Sequence, residues 1–227
     1  MKIDILCGGG STDGVVPSDI HGVNGRIGTG GSEYALLTLC EGWHKEHDLT
    51  LYNNPRRKPE SFEQLPVSSF DPQAKRDVLI IFREPSQKVV RASGYKVFFS
   101  CDQFTVGDFS HFKQFVDRVV TISPYHSKYF SHRYEIRDAI HIDLPVRTWE
   151  YGTNAEKVPN RLIFTSVPDR GLEIVAKTLP RIQREIPDVS LVITSDYRLW
   201  GAAAPINQHF VQMFLTQKNV EFIGAVP

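Results

Sequence analysis

A glycine-rich segment near the N-terminus has residue types that could bind an anion. It reads GRIGTGGSE over Gly25–Glu33. Glycines let backbone N–H groups approach an anion closely, and a helix N-terminus adds about half a positive charge. No Gly-Lys-Ser/Thr follows, so the segment is not a Walker loop, and the gap from Cys7 to Ser32 is too long for a tight dinucleotide-binding turn. The glycines are compatible with a ligand-binding loop and equally with a flexible surface loop.

A second segment of this kind, TSVPDRGLE over Thr165–Glu173, lies between an apolar run and an amphipathic one. The Arg170 guanidinium, together with free N–H groups at a helix start, would suit a phosphate or diphosphate. In the alternative interpretation, Asp169 caps the helix, Arg170 is a solvated first-turn residue and Gly171 is incidental.

Polar side chains follow a third apolar run in the sequence FFSCDQ, Phe98–Gln103. Asp102 could accept a hydrogen bond from a substrate hydroxyl or position a reacting group. Cys101 could be a nucleophile, but no basic residue is near it in sequence. A lone cysteine after a strand is more often a small buried apolar residue.

Weaker candidates stand at two other strand ends. Arg83 and Glu84 either face the same cleft as Asp102 or form a surface ion pair. Ser123 is first of all a helix N-cap, and His126 is interpreted as a structural histidine rather than a general base.

Short apolar strands and longer amphipathic segments must position these residues. Helices are predicted from Ser32, as N-cap, to about His47, from Pro124 through Phe130, and from about Arg170 to Glu185, before Pro187. The predicted strands are Ile3–Cys7, Leu49–Tyr52, Val78–Phe82, Val97–Ser100, Val119–Ile122, Ala139–Ile142, Leu162–Thr165, Leu191–Thr194 and Val220–Ile223. Nearly continuous apolar runs are typical of parallel strands that are covered on both faces. The alternation predicts a doubly wound α/β fold.

Two proline-bearing stretches are predicted to be connections. Asn53–Ser61 is a polar loop, and Leu144–Asn160 separates six predicted strands from three and is therefore the expected domain boundary. The three strands make only half of a doubly wound domain. Either the natural chain is longer or this is an unusually short version.

Composition excludes several classes of protein. With 41% hydrophobic and 23% charged residues among 227, a disordered chain is excluded. Lys+Arg and Asp+Glu both number 26, which gives no basic footprint for nucleic acid. No apolar run approaches the roughly 18 residues of a membrane span. Three cysteines without CxxC, and histidines without HExxH, predict a reducing compartment and no metal site. We expect a soluble, cytoplasmic protein.

The ordered set of motifs resembles the GT-B nucleotide-sugar glycosyltransferases, in particular the large retaining family 4. That family opens with a strand, a glycine-rich loop ending in Gly-Gly-x-Glu, and a helix ending in a small residue and a histidine. The matching segments here are Gly30–Glu33, Glu41–His44, Asp48–Tyr52, Val119–Ser123 with His126, Ile163–Ser166, Arg170–Glu173, Pro187–Ile193 and Asn219–Pro227. The resemblance implies a GT-B-like fold with an acceptor-side Rossmann-like domain over residues 1–145, a linker over 146–160 and a partial donor-binding domain over 161–227.

The resemblance also implies an activity. A sugar would pass from a nucleoside diphosphate donor to the hydroxyl of a glycan or another acceptor, with retention at the anomeric carbon and without metal or other cofactor. Arg170 stands where the family has a basic Lys-Gly pair, and Gly30 and Gly31 would face it across the cleft. The implied diphosphate ligands are Gly30, Gly31, Ser166, Arg170 and Gly171. The implied acceptor-side residues are Arg83 and Glu33, and the implied catalytic residues are Asp102 and Cys101.

The chain departs from the family pattern at three points. Cys101 precedes Asp102 where the family commonly has His, Val167 stands where related chains often carry Arg, and the family's Glu-x7-Glu motif and returning C-terminal helix do not occur before Pro227. These departures motivate an alternative: a degenerate, non-catalytic module that binds a glycan or a partner chain and is completed by a missing segment or partner. A nucleotide-binding oxidoreductase is disfavoured, because there is no tight GxGxxG turn.

Overall fold

The chain forms two compact units. Unit 1 comprises Met1–Ser18 and Gly31–Thr148, and unit 2 comprises Asp19–Gly30 and Trp149–Pro227. The structure is a computed structural model that describes residues 1–7, 12–21, 29–102, 109–152, 156–195, 197 and 208–224. Within these residues no helix is both long and apolar enough to cross a bilayer.

A seven-stranded sheet forms the centre of unit 1. Its strands are β1 (Lys2–Cys7), β2 (Asp48–Tyr52), β3 (Glu63–Leu65), β4 (Val78–Phe82), β5 (Tyr95–Phe99), β6 (Arg118–Thr121) and β7 (Ile140–His141). The order in the sheet is β3-β2-β1-β4-β5-β6-β7, and every pairing is parallel. The prediction of a parallel sheet is confirmed.

Apolar runs place the central strands of this sheet in the core. Ile5 and Leu6 of β1 and Leu79 and Ile81 of β4 are at most 1% exposed, as expected for strands that are covered on both faces. The core cluster of unit 1 also contains rings from the segments that connect β5 to β6 and β6 to β7, namely Phe109, Phe112, Phe130 and Tyr134.

The short edge strand β3 was not predicted. Six strands were expected in this part of the chain and seven are found. The segment reads Glu-Gln-Leu and has no apolar run, but Gln64 is buried. Its register with β2, which pairs Leu51 with Gln64, extends the sheet past the Asn53–Ser61 loop.

Three α-helices are described in unit 1: α1 (Gly31–Trp43), α2 (Phe109–Phe112) and α3 (Pro124–Tyr134). Helix α1 begins at Gly31, so Ser32 lies inside it, and the prediction that Ser32 is the N-cap was wrong. The cap of α3 is as predicted, because Ser123 Oγ accepts a hydrogen bond from the His126 N–H and Pro124 fills the first turn. Helix α3 continues to Tyr134, beyond the predicted end.

Arg147 fixes the last residues of unit 1 to helix α1. Its side chain is buried, its backbone N–H donates to Tyr34 Oη over 3.0 Å, and its Nε donates to Thr38 Oγ1 over 3.0 Å. Its guanidinium also pairs with Glu41. These contacts hold the helix whose first turn carries Glu33.

Unit 2 contains a three-stranded parallel sheet in the order β10-β9-β8. Its strands are β8 (Arg161–Phe164), β9 (Ser190–Ile193) and β10 (Val220–Phe222), and its α-helices are α4 (Leu172–Glu185) and α5 (Gln208–Gln212). The apolar stripe of α4 packs on the sheet through Leu172, Ala176 and Leu179. A 3₁₀ turn, Pro168–Arg170, precedes α4, so this helix begins two residues later than predicted.

Candidate functional site

The carboxyl ends of the central strands gather the predicted site residues of unit 1 at one edge of the sheet. Cys7 pairs in register with Phe82, and Phe82 with Phe99. Because the strands are parallel, the residues that follow β4 and β5 are neighbours in space. Arg83 and Asp102, which are nineteen positions apart, therefore meet.

An ion pair between Arg83 and Asp102 is the centre of this edge. Arg83 Nε donates to Asp102 Oδ2 over 2.5 Å, and Arg83 Nη2 donates to Oδ1 over 3.3 Å. Burial alone would lower the pKa of Arg83, but the hydrogen bond and charge of Asp102 outweigh it, so the net pKa is raised. The two side chains are 25% and 26% exposed, which leaves part of the pair accessible.

Glu33 is the buried member of the same group. It lies in the first turn of α1, where the helix dipole stabilises a carboxylate, and is 3% exposed. Its Oε1 lies 3.8 Å from Arg83 Nη1 and has no hydrogen-bond partner. We call Glu33, Arg83 and Asp102 the charged cluster.

The thiols beside the charged cluster are protonated at neutral pH. Burial, with a smaller contribution from Asp102, raises the pKa of Cys101 to about 12. Burial likewise raises the pKa of Cys7 to about 12. A thiolate nucleophile at Cys101 therefore has no support in the geometry, and any contribution from Cys101 must use the neutral thiol.

His126 faces Asp102, a placement that the sequence did not indicate. Its Nδ1 accepts a hydrogen bond of 3.4 Å from the Ile122 N–H, which assigns the proton of the neutral ring to Nε2. Burial lowers the pKa of His126, and the carbonyl and carboxylate of Asp102 oppose that shift only in part. Nε2 is buried and has no partner with hydrogen-bond geometry. A neutral donor thus stands next to Asp102.

The glycine-rich segment is described only from Thr29 onward, so Gly25–Gly28 lies outside the described residues. Gly31 opens α1, and a Cβ at this position would meet no atom of the described residues within 4 Å. None of those residues blocks the close approach of a ligand to this backbone. The roles predicted for Gly30 and Gly31 stay predictions.

Two buried amides hold the segment that follows β1. Asn53 Nδ2 donates to the Thr12 and Val15 carbonyls over 3.2 and 2.9 Å, and Gln64 Nε2 donates to the Val15 carbonyl over 2.8 Å. Asn53 was predicted to begin a polar loop, but its side chain is fully buried. Its position directly after an apolar strand was the sequence signal that could have indicated a buried amide.

Among the described residues of unit 2, the carboxyl edge of the sheet carries hydroxyls and the basic side chain of Arg170. The loop after β8 is tied to the end of β9, because Ser195 Oγ donates to the Ser166 carbonyl and Tyr197 Oη donates to Asp169 Oδ2 over 2.7 Å. Thr194, Ser195 and Tyr197 were not predicted as site residues. Arg170 lies in the same loop and is exposed.

Gly171 joins this loop to helix α4. Its φ of +113° is a left-handed conformation that favours glycine, so Gly171 is not incidental. In the described part of the chain no side chain caps α4, and Asp169 does not have the capping role of the alternative interpretation. The first-turn N–H groups of α4 therefore remain available to an anion.

No cluster of three or more His, Cys, Asp or Glu side chains suitable for a metal ion occurs among the described residues.

Comparison with known proteins gives a match at the level of structure alone. No protein-family model matches the sequence, and no curated protein matches it. Among solved structures, 99% of this chain matches AviGT4, a glycosyltransferase involved in avilamycin A biosynthesis, with a TM-score of 0.57 and 18% identity. This chain spans 63% of the length of that enzyme. The chain has a GT-B-like, Rossmann-type fold, which confirms the predicted fold class.

Proposed function

We propose that this protein is a glycosyltransferase that moves a sugar from a nucleoside diphosphate donor to an acceptor hydroxyl. We further propose a retaining, family 4 type of reaction that needs no metal. The observation that carries the proposal is the charged cluster at the carboxyl edge of a GT-B-like fold. The similarity in fold to a glycosyltransferase supports it. In open α/β sheets, ligands bind at this edge.

The donor diphosphate is assigned to the loop before α4. Ser166, Arg170 and Gly171 line the carboxyl edge of the second sheet, and α4 begins without a side-chain cap. A guanidinium and backbone N–H groups are the donors that stabilise the charge which develops on a diphosphate leaving group. The diphosphate-binding roles of Gly30 and Gly31 stay predictions that the resemblance implies.

The acceptor is assigned to unit 1. Both oxygens of Asp102 are oriented by Arg83 and keep lone pairs that can accept hydrogen bonds from ligand hydroxyls. Because two hydrogen bonds from Arg83 already hold the Asp102 carboxylate, it needs little reorganisation to position a hydroxyl. Cys101 contributes shape and a weak neutral donor beside it.

The reaction breaks the bond between the anomeric carbon and the diphosphate oxygen, and that electron pair leaves with the diphosphate. The acceptor oxygen forms the new bond to the anomeric carbon. With retention by attack on the same face, the hydroxyl lies beside the departing oxygen, and its proton passes to that oxygen. The protein then contributes positioning and stabilisation of the leaving group.

A non-catalytic, glycan-binding module is the second candidate. The observation that favours it is Cys101, whose neutral thiol replaces the histidine expected before Asp102. A nucleotide-binding oxidoreductase gains no support from the described site.

The test is turnover of a panel of nucleotide sugars in the presence of hydroxyl acceptors. We expect release of the nucleoside diphosphate and an acceptor whose mass has increased by one sugar residue. Asp102→Asn should lower the rate about a hundredfold, the range seen when one positioned group is lost. Asp48→Asn, an exposed carboxylate at the amino end of β2, is the matched control. If acceptors bind but no diphosphate is released, the binding-module interpretation replaces this one.

A further inference from the structure

The charged cluster, which lies at the carboxyl edge of the first sheet, carries a net negative charge. Among the described residues, the charged cluster contributes two carboxylates, Glu33 and Asp102, and one guanidinium, Arg83. The neighbouring thiols and His126 are neutral at pH 7, because burial disfavours their charged forms. A phosphorylated or carboxylated ligand would therefore meet repulsion at this edge.

Glu33 and Arg83 are separated by a distance that one hydroxyl oxygen can bridge. Glu33 Oε1 and Arg83 Nη1 lie 3.8 Å apart, too far for a direct hydrogen bond. An oxygen about 2.8 Å from both atoms fits this separation, with its O–H donating to Glu33 and its lone pair accepting from Arg83. A hydroxyl can do both, whereas an anionic oxygen accepts only and leaves Oε1 unsatisfied.

An unpaired carboxylate oxygen does not by itself mark a site in this chain. Asp4 Oδ1 is also buried and unpaired, but its partner Arg76 is 0% exposed and that pair is sealed. The charged cluster differs because the side chains of Arg83 and Asp102 are a quarter exposed and form an accessible rim. Glu33 Oε1 itself is covered in this structure, so a hydroxyl reaches it only after neighbouring atoms have moved.

We propose that the charged cluster binds an uncharged polyol through a hydroxyl that bridges Glu33 and Arg83, and that Glu33 discriminates against anionic acceptors. This inference rests on the proposed function, since it names the class of acceptor that the glycosyltransferase would use. Asp102, at the rim, accepts hydrogen bonds from neighbouring hydroxyls of the same polyol. Phosphorylated sugars are excluded at this position by charge and by the unsatisfied Glu33 oxygen.

The experiment compares neutral and anionic forms of the same sugars. Methyl hexopyranosides and their 6-phosphates are titrated into the 227-residue protein, and the Arg83 Nε–Hε resonance reports binding by NMR. We expect the neutral glycosides to bind at least about tenfold more tightly than the phosphates. Glu33→Gln should weaken the neutral glycosides about tenfold and reduce or reverse the preference. Glu46→Gln, an exposed residue after α1, should change neither affinity.

A second variant guards against a folding defect in Glu33→Gln. Arg83→Lys keeps the net charge but removes the planar guanidinium. In this variant binding is followed by the backbone amide resonances of unit 1, which should report weaker binding of the neutral glycosides, with the phosphates still the weaker ligands. Amide spectra of both variants verify the fold of unit 1.

The inference is overturned if phosphates bind more tightly to the wild-type protein, if Glu33→Gln leaves the preference unchanged, or if no glycoside shifts the Arg83 resonance. Turnover of nucleotide sugars is measured separately. Glycosides that bind with the expected preference in the absence of any diphosphate release would contradict the proposed transferase and leave the polyol site standing.

Discussion

The carboxyl edges of the two sheets are built from the same strand–loop–helix pattern but differ in charge. In unit 1 the edge holds two carboxylates around Arg83, and an acid occupies the first turn of the following helix. Among the described residues of unit 2, the edge holds the hydroxyls of Thr194 and Ser195 and the exposed side chain of Arg170. The same strand–loop–helix pattern thus presents different charges at the two edges.

The difference comes from how each helix N-terminus is used. Glu33 places its carboxylate at the positive end of α1, which neutralises that end within the protein. Helix α4 has no side-chain cap, and the acid in its first turn, Glu173, pairs with Lys177 over 2.5 Å. We therefore expect an anion to gain more at the start of α4 and a hydroxyl to gain more beside α1.

The largest expected effect is on the free energy of unfolding, and it distinguishes a structural ion pair from the proposed binding cluster. Arg76 and Asp4 form a pair with exposures of 0% and 1%. Arg76→Met should lower the free energy of unfolding by about 3–5 kcal/mol, because it leaves the Asp4 carboxylate buried without its partner. Arg83→Met should cost only about 1 kcal/mol, since its pair is partly solvated. Urea unfolding, monitored by hydrogen exchange of the β4 amides, measures both losses of free energy. Equal losses would mean that the charged cluster is a structural element and not a binding site.

The next effect is on the affinity for a nucleoside diphosphate, and it tests the carboxyl edge of the sheet in unit 2. Arg170→Ala should weaken binding of a nucleoside diphosphate ten- to hundredfold, about 1.5–3 kcal/mol, because it removes a charged hydrogen-bond donor. Isothermal titration with a panel of nucleoside diphosphates measures the change. Arg181→Ala, an exposed arginine further along α4, is the control and should bind like the wild type. Unchanged affinity in Arg170→Ala would remove this residue from the donor site.

A smaller effect on stability is expected from the left-handed backbone conformation of Gly171, which precedes α4. Gly171→Ala should cost about 1–2 kcal/mol of stability, because φ is +113° while the added Cβ meets no atom within 4 Å. Gly42→Ala, inside α1 and also in open space, should instead stabilise by about 0.5–1 kcal/mol. Thermal unfolding of both variants gives the comparison. A stabilised Gly171→Ala protein would show that the left-handed turn does not constrain the loop.

The smallest effect is a pH dependence that belongs to unit 1. The pKa of His126 is lowered in the folded protein. On acidification the imidazole therefore binds a proton at a higher pH in the unfolded chain than in the folded protein. The contribution to stability is complete above about pH 6.5 and is lost as the pH falls toward the folded pKa, with a slope of at most about 1.4 kcal/mol per pH unit. His126→Gln should flatten this part of the stability curve, and His141→Gln, an exposed histidine, should not. Equal slopes in both variants would contradict a buried, neutral His126.

Sequence patterns predicted the parts of the fold that depend on continuous apolar runs. The strand Val78–Phe82 has the predicted bounds, because a strand that is covered on both faces is a continuous run of apolar residues, here five. The edge strand Glu63–Leu65 was missed, since its one fully buried side chain is an amide that bonds to the Val15 carbonyl. The first turn of α1 was misjudged because Ser32 resembles a cap, although the helix begins one residue earlier.

Side-chain pairings at the two edges were largely out of reach of the sequence. Arg83 and Asp102 were both candidates, but their contact depends on the register of β4 with β5. The contact of Glu33 with Arg83 joins residues fifty positions apart on a helix and a strand end. His126 was interpreted as structural because no local pattern indicates that its ring faces Asp102. The burial that holds the Cys101 thiol neutral is likewise a tertiary property.

The most direct test of the division of labour between the two edges is an NMR map of nucleoside diphosphate binding. Uniformly labelled protein is titrated with the diphosphate that binds best, and amide and arginine side-chain shifts are followed. We expect the largest shifts at Ser166, Arg170 and the first turn of α4, with Asp102 unaffected. The largest shifts at Arg83 and Asp102, with Arg170 unaffected, would contradict it.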